Sequence, residues 1–291
     1  MILVVGGSRW SGRALLPALE GRPLRTLVSS EYDAVRYRDQ GVEAVAGDVL
    51  EGRGLDTAMR GVRTLVYLDH AMERPGDPVA NELESVQNAL IAARGAGVER
   101  VIFLGNVAAA EDATARQLVA RWAAELAVRQ SELSWVVLRT SMVVGGTATP
   151  FEALQRSVDR LPIVPLFRWR RTEVEPVAVS DVLEAIKIAI DDEEIAERSF
   201  DVCGADRVRV SDVVRAWGQA AGRRRVYLPM PGWGERFGEQ LAWTAARLPR
   251  RQTRLGLETL RERQVCTDPS LRFPLPHRPS GYLGALAEAA G

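Results

Sequence analysis

The chain has 291 residues, of which 46% are hydrophobic and 26% are charged. This length and composition are typical of a globular protein, so we expect one large domain, alone or with a small lobe. The formal net charge is zero, with 38 basic and 38 acidic residues. Such a balance provides no broad positive field for nucleic acid or an anionic membrane, and neither is an expected partner.

No apolar run reaches the roughly 20 residues needed to span a bilayer, and the first residues lack a signal-peptide pattern. We therefore expect a cytoplasmic protein. The two cysteines, Cys203 and Cys266, are too few for a disulfide framework and have no histidine at zinc spacing. They are interpreted as small buried side chains, and no metal site is predicted.

The first half of the chain alternates short β-branched runs with helical stretches, which is typical of a βαβ series. The predicted strands are, in order, 2–5, 24–28, 42–46, 64–68, 101–104 and 135–138. Amphipathic segments between them, such as 13–20, 79–94 and 115–130, are long enough for crossover helices. The predicted fold class is therefore α/β, a doubly wound parallel sheet with helices on both faces.

After Gly145 the pattern changes, because prolines become frequent and interrupt regular structure. We therefore divide the chain into a core at 1–145 and a small C-terminal substrate lobe at 146–291. A segment at about 174–203 is expected to return to the core. The elements predicted after the boundary are a strand at 175–179, a helix capped by Ser180-Asp181 that runs to 190, a strand at 199–203, helices at 211–221 and 233–263, and a short final helix.

The first predicted strand runs directly into a glycine turn at 6–12, Gly-Gly-Ser-Arg-Trp-Ser-Gly. In a dinucleotide-binding turn, one glycine allows the bend, one lets the backbone approach the pyrophosphate, and the last lets the helix pack closely on the strand. Gly6 and Gly12 occupy the outer positions, but Arg9 replaces the middle glycine. A purely structural turn is the alternative, yet the position after the first strand of a βα series favours a nucleotide turn.

Four ordered segments resemble the short-chain dehydrogenase/reductase superfamily over nearly the whole chain. The glycine turn is similar to that of atypical and extended members of the epimerase-like and NmrA-like kinds, and 47–49 resembles their adenine-contacting turn. Residues 138–146 resemble the strand and loop on the nicotinamide side, and 176–182 resembles the segment that docks the substrate lobe. The resemblance implies a dinucleotide-binding Rossmann core at 1–145 and leaves the reaction open.

The glycine turn and the resemblance together define a predicted cofactor-binding set. Its members are Gly6, Ser8, Arg9, Trp10, Gly12, Ser29, Asp48 and Val49. Directly after the second strand, Rossmann proteins place an acid that binds the ribose of NAD or an arginine that binds the extra phosphate of NADP. Neither residue type stands immediately after the second strand here. Arg9, with Ser8 and Ser29, has the charge and hydroxyls for a 2′-phosphate, which favours NADP(H) over NAD(H). A protein that binds no nucleotide remains an alternative.

The tyrosine–lysine catalytic pair of this superfamily is absent from the sequence, because no tyrosine has a lysine four residues on. The resemblance places Gln117 at the tyrosine position, Arg121 at the lysine position and Asn106 in the usual serine pair. Gln117 forms hydrogen bonds but does not titrate usefully. Arg121 keeps a positive charge that would suit ribose hydroxyls or a phosphate. We therefore expect the protein to bind a cofactor even though the tyrosine–lysine pair is absent.

His70 follows the fourth predicted strand, at the carboxyl edge where ligands bind in such sheets. An unperturbed histidine titrates near pH 6.5 and can act as an acid or a base at cellular pH. The candidate catalytic residues are therefore His70, Asn106, Gln117 and Arg121. A loop histidine without a catalytic role is the alternative for His70, and His277, which lies between prolines, is interpreted as structural.

Three tryptophans, Trp10, Trp169 and Trp233, fall in predicted loops or lobe edges and indicate an aromatic substrate pocket. We expect an NAD(P)H-dependent oxidoreductase of secondary metabolism that acts on a small, aromatic or polycyclic molecule by hydride transfer. Two alternatives stay open: a non-redox isomerase, cyclase or dehydratase in the same cleft, and a catalytically silent NAD(P) sensor or assembly protein. A small molecule is the expected partner, and a homodimer is left open.

Overall fold

The computed structural model describes residues 1–145, 149–230, 240, 244, 247 and 250–290. The strands of its central sheet are β1 (Ile2–Val5), β2 (Leu24–Val28), β3 (Glu43–Ala46), β4 (Thr64–Tyr67), β5 (Arg100–Asn106), β6 (Ser134–Thr140) and β11 (Arg198–Val202). Their order is β11-β6-β5-β4-β1-β2-β3, and every neighbouring pair is parallel. The predicted α/β doubly wound fold is confirmed.

Helices cover both faces of this sheet, because successive strand residues point to opposite sides. The helices of the core are α1 (Trp10–Ala18), α2 (Glu31–Asp39), α3 (Leu55–Met59), α4 (Pro78–Gly95), α5 (Arg116–Arg129) and α7 (Val179–Asp191). Ile2 and Val4 pack in an apolar cluster with α1 and α7, whereas Leu3 and Val5 pack in a second cluster with α3, α4 and α5.

The remaining described elements form a third apolar cluster around α6 (Thr149–Arg160), α8 (Val210–Ala220), α9 (Arg250–Thr259) and α10 (Tyr282–Ala290). Three two-stranded sheets accompany them: β7 (Val143–Val144) with β10 (Val177–Ala178), β9 (Glu173–Val174) with β12 (Val208–Arg209), and β8 (Ile163–Leu166) with β13 (Val226–Pro229). Short 3-10 helices lie at Ala71–Glu73, Arg168–Arg171 and Pro269–Leu271.

Most of the 233–249 part of the helix predicted at 233–263 lies outside the described residues, and α9 lies in the rest of it. Two other predicted elements differ from the structure. The strand expected at 175–179 is split into β9 and β10, which lie outside the central sheet on either side of Pro176, a residue without a backbone N–H. Helix α7 begins at Val179 without a side-chain cap, so Ser180-Asp181 is not its N-cap. The Asp181 carboxylate instead accepts hydrogen bonds from Ser280 N at 2.9 Å and contacts His277 Nε2 at 2.8 Å.

The two cysteines agree with the sequence prediction. Cys203 and Cys266 are buried and unpaired. Among the described residues, histidines, cysteines and acids form no group of three that could hold a metal ion. Within the same residues, none of the helices has the length and apolar character to cross a bilayer.

Candidate functional site

The turn between β1 and α1 is built for close backbone approach. Gly6 has a φ of +91°, and a Cβ added to Gly12 would lie 2.4 Å from Gly6 O. Both positions therefore require glycine. Helix α1 begins after Arg9 without a side-chain cap, so N–H groups of its first turn are available to an anion. Ser11 Oγ in that turn is buried and has no hydrogen-bond partner in the described structure. These features fit a dinucleotide diphosphate.

A cleft of about 310 Å³, the cofactor cleft, opens beside this turn. Its lining includes six members of the predicted cofactor set: Gly6, Ser8, Arg9, Ser29, Asp48 and Val49. Asp48 closes the turn after β3 by accepting hydrogen bonds from Leu50 N at 3.0 Å and Glu51 N at 3.3 Å. It also pairs with Arg74 across the cleft at 2.9 Å, a partner that the sequence did not suggest.

Arg9 directs its guanidinium toward the segment that follows β4. Nε donates to Asp69 Oδ1 at 3.1 Å, Nη2 donates to His70 O at 3.0 Å, and Nη1 pairs with Glu73. Burial lowers the pKa of Arg9, but Glu73 and Asp69 outweigh burial and raise it overall. Ser8 donates to Asp33 Oδ2 at 2.9 Å. The predicted use of Arg9 for a 2′-phosphate would therefore require it to leave these carboxylates.

A second cavity of about 90 Å³, the polar pocket, brings together all four candidate catalytic residues, His70, Asn106, Gln117 and Arg121. The rest of its lining includes Trp10, Met72, Glu73, Leu104, Ser141, Thr259 and Gln264. Residues from the ends of β4, β5 and β6 thus meet α5 and the C-terminal segment at one edge of the sheet. This is the edge at which parallel α/β sheets bind ligands.

The environment of His70 favours its neutral form. Burial lowers the pKa of the imidazole well below 6.5, and the charges of Arg121 and Arg9 lower it further. A neutral imidazole donates or accepts a hydrogen bond but does not act as an imidazolium acid at neutral pH. The prediction that His70 serves as a proton donor is therefore at odds with its surroundings, whereas a hydrogen-bonding role agrees with them.

Asn106 and Gln117 offer amide groups to the same pocket. Asn106 Oδ1 accepts a hydrogen bond from Ala108 N at 2.8 Å, which orients the amide at the end of β5. Within the described residues, no hydrogen bond holds the side chain of Gln117. The pocket therefore presents neutral hydrogen-bonding groups that a bound molecule can engage.

Arg121 contacts protein groups rather than the cofactor cleft. Its guanidinium donates to Glu82 at 2.5 Å, to Asp69 O at 3.2 Å and to Leu104 O, and it lies 4.3 Å from the centre of the Phe103 ring. These partners use most of its donors. A contact with ribose or phosphate, as predicted, would require Arg121 to leave some of these partners.

The three tryptophans have different positions. Trp10 lines the polar pocket, as expected for a substrate-contacting residue. Trp169 is buried in the third apolar cluster beside Phe167 and does not line the polar pocket. It packs there because the 3-10 helix at Arg168–Arg171 turns it inward. Trp233 lies outside the described residues.

The C-terminal segment contributes pocket residues that sequence reasoning missed. Ser141 Oγ donates to Gln264 O at 2.6 Å, and Gln264 Nε2 donates to Thr259 O at 3.1 Å. These bonds hold the end of α9 against β6. Gln264 follows Ser141 by more than a hundred residues, and no local pattern signals such a contact.

A family model described as NAD(P)H-binding matches residues 6–162. The chain is 29% identical to a ceramide reductase of Caulobacter vibrioides over 171 residues, which are 57% of this chain and 53%, about half, of that protein. It is 25% identical to an NAD(P)H azoreductase of Xenophilus azovorans over 228 residues, covering 77% of this chain and 74% of that one.

Solved structures agree in fold. The NADP(H) complex of a Citrobacter sp. triphenylmethane reductase superposes with a TM-score of 0.75 at 18% identity and covers 99% of both chains. The family match covers more than half of the sequence and includes the glycine turn, the cofactor cleft and most of the polar pocket. The chain therefore belongs to the NAD(P)H-binding family of Rossmann-fold proteins, as the resemblance to atypical short-chain dehydrogenases/reductases predicted.

Proposed function

We propose that this protein is an NAD(P)H-dependent oxidoreductase that reduces a small conjugated acceptor whose reduction needs no strong acid from the enzyme. The observation that carries the proposal is the polar pocket beside the cofactor cleft. His70, Asn106 and Gln117 line it together, and the low pKa of His70 leaves no imidazolium at neutral pH. These three side chains thus contribute hydrogen bonds and do not donate a proton.

The glycine turn and the cofactor cleft suit the two halves of a dinucleotide. N–H groups at the start of α1 would bind the diphosphate, and Asp48 and Val49 would contact the adenosine end. A bound reduced nicotinamide supplies a hydride. Trp10 and Met142 line the pocket with apolar surface, which would exclude water from the reacting face.

The neutral hydrogen-bonding groups of His70, Asn106 and Gln117 favour one class of acceptor. Hydride addition to an isolated aldehyde or ketone produces an alkoxide, which is strongly basic and needs a proton donor. Hydride addition to a cationic or extended π system produces a neutral or delocalised product, for which hydrogen bonds from neutral side chains are sufficient. The names azoreductase and triphenylmethane reductase describe conjugated acceptors of relatives, and they support this choice here.

The test is oxidation of NADPH and NADH by the purified protein with four acceptors: a quinone, an azo dye, a cationic triarylmethane dye and a simple aliphatic aldehyde. We expect turnover with at least one conjugated acceptor and none with the aldehyde. Reduction of the aldehyde alone would contradict the proposal. Binding of NAD(P)H without oxidation by any acceptor would instead favour the non-redox or sensor alternatives.

Variants of the pocket test the assigned roles. Gln117→Ala and His70→Ala should each lower kcat/KM by about 10- to 100-fold, because each removes one hydrogen bond to the developing charge. His70→Asn, which keeps a hydrogen-bonding group without a titrating one, should retain more activity than His70→Ala. Gln40→Ala, an exposed position at the end of α2, is the matched control and should leave kcat/KM unchanged.

A further inference from the structure

Arg9 lies at the boundary between the cofactor cleft and the polar pocket. Arg9 and Asp69 line the cofactor cleft, whereas their chain neighbours Trp10 and His70 line the polar pocket, together with Glu73. The pair formed by Arg9 and Glu73 therefore joins the walls of two separate cavities. A dinucleotide that extends from one cavity into the other has to pass this ion pair.

The contacts of Arg9 hold the boundary closed. Its guanidinium binds Asp69, Glu73 and the carbonyl oxygen of His70, and all three belong to the segment after β4. The side chain of Glu73 is 10% exposed and that of Arg9 is 27% exposed, so bulk water screens the pair only in part. The middle position of the glycine turn is thereby tied to the opposite wall of the site.

Arg9 shares its positive charge between two acids in this cluster. One guanidinium faces two carboxylates, Asp69 and Glu73, beside the uncapped start of α1. A dinucleotide diphosphate would bring two further negative charges to the same helix start. Arginine binds phosphate with two parallel hydrogen bonds, so a diphosphate at the turn competes with the carboxylates for the Arg9 guanidinium.

We propose that Arg9 is a diphosphate-binding residue whose guanidinium Glu73 holds until a dinucleotide arrives. Arg9 leaves Glu73 for the diphosphate, and this exchange opens the passage from the cofactor cleft to the polar pocket. Glu73 therefore opposes dinucleotide binding, whereas Arg9 supports it. The inference rests on the NAD(P)H binding included in the proposed function and is independent of which acceptor is reduced.

The test is calorimetric titration of the nucleotide-free protein with NADPH, ADP-ribose and AMP. Glu73→Gln should tighten binding of NADPH and ADP-ribose about five- to tenfold, because the competing partner of Arg9 is weakened. AMP has no diphosphate and does not cross the boundary, so its affinity should change less than about twofold. Asp69→Asn, which weakens the other carboxylate partner, should act in the same direction as Glu73→Gln.

Glu51→Gln is the matched control, since Glu51 is an exposed acid on the turn after β3 and pairs with Arg53 rather than Arg9. It should leave all three affinities unchanged. Equal tightening of AMP and NADPH by Glu73→Gln would show a general charge effect and overturn the exchange. Unchanged NADPH affinity in both Glu73→Gln and Asp69→Asn would also overturn it.

The variant Arg9→Gln tests whether Arg9 binds the dinucleotide or only blocks its passage between the two cavities. We expect it to weaken NADPH and ADP-ribose binding about tenfold, because the phosphate partner is lost while both carboxylates remain. Tighter binding would show that Arg9 only blocks the passage and would overturn the proposal. Absence of dinucleotide binding in every variant would overturn it as well. If the dinucleotide affinities change as expected but none of the acceptors is reduced, only the proposed reaction is rejected.

Discussion

Arg121 and Glu82 form an ion pair that is buried on both sides. Arg121 Nη1 lies 2.5 Å from Glu82 Oε1, and the two side chains are 3% and 0% exposed. Glu82 also accepts a hydrogen bond from Met72 N at 3.0 Å, so the pair joins α5 and α4 to the segment that carries His70. Arg121, which the resemblance places at the lysine position of the superfamily, thus uses its positive charge to hold the walls of the polar pocket together.

Glu82→Gln should lower the free energy of unfolding by about 3 kcal/mol, because it leaves the buried Arg121 guanidinium without its charged partner. Urea denaturation monitored by circular dichroism measures this loss. The control is Glu99→Gln, which removes the partner of Arg63 in an exposed ion pair and should have no measurable effect. Similar small effects of both variants would contradict a structural role for the buried pair.

His70 should make the protein less stable in mild acid. Burial lowers its pKa in the folded state, so the unfolded chain binds the proton more readily once the pH falls below about 6.5. Stability is therefore lost as pH falls through that value. The variant His70→Asn has no imidazole and does not lose stability in this way. Its free energy of unfolding relative to the wild type should therefore rise by about 1–2 kcal/mol when the pH is lowered from about 7 to about 5. Urea denaturation at both pH values checks this, and a difference independent of pH would refute it.

Asp201 is a buried carboxyl group whose Oδ1 has no hydrogen-bond partner in the described structure. Burial raises its pKa, although a hydrogen bond with Cys266 and the charge of Arg139 oppose the shift. Asp201→Asn should therefore stabilise the fold by about 1 kcal/mol at neutral pH. The gain should decrease as the pH falls through the raised pKa of the folded state and disappear below the ordinary aspartate pKa of about 3.9, where the carboxyl becomes protonated in both states. Thermal unfolding across this range gives the measurement.

Gly12→Ala should abolish dinucleotide binding, because the added Cβ would lie 2.4 Å from Gly6 O and 2.6 Å from Gly7 Cα. Both contacts are with backbone, so the turn must open to accept the methyl group. Gly95→Ala is the control, since a Cβ at that helical glycine of α4 meets nothing within 4 Å. Titration with NADPH and NADH measures the loss. Normal affinity in Gly12→Ala would show that the dinucleotide binds elsewhere.

Cofactor preference should depend on Ser29 rather than on Arg9. Ser29 is exposed in the cofactor cleft directly after β2, where Rossmann proteins recognise the adenosine ribose. Ser29→Asp should lower the affinity for NADPH relative to NADH by about tenfold, since a carboxylate repels a 2′-phosphate and binds free ribose hydroxyls. Arg9→Gln should weaken both cofactors equally, because the diphosphate is common to them. A selective loss of NADPH in Arg9→Gln would restore the 2′-phosphate role predicted from sequence.

Local patterns allowed much of the core to be predicted. The ranges of β1 and β2 agree with the sequence prediction at both ends, because each is a short apolar or β-branched run bounded by turn residues. The start of α7 was predicted wrongly, since Ser180 and Asp181 are common cap residues that here bind Glu288 and the segment containing His277. Long-range partners can therefore override a local capping signal.

By itself, the sequence determined the α/β fold class, the glycine turn and the four candidate catalytic residues that line the polar pocket. The periodicity of a strand and the need for glycine in a tight turn both depend on residues that are neighbours in the chain. The sequence alone is therefore enough to recognise them. Only the tertiary structure decided where the charges of Arg9 and Arg121 are used. Glu73 and Glu82 lie dozens of residues from their arginines, and such pairs form only because helix and loop packing brings them together in a partly dehydrated space.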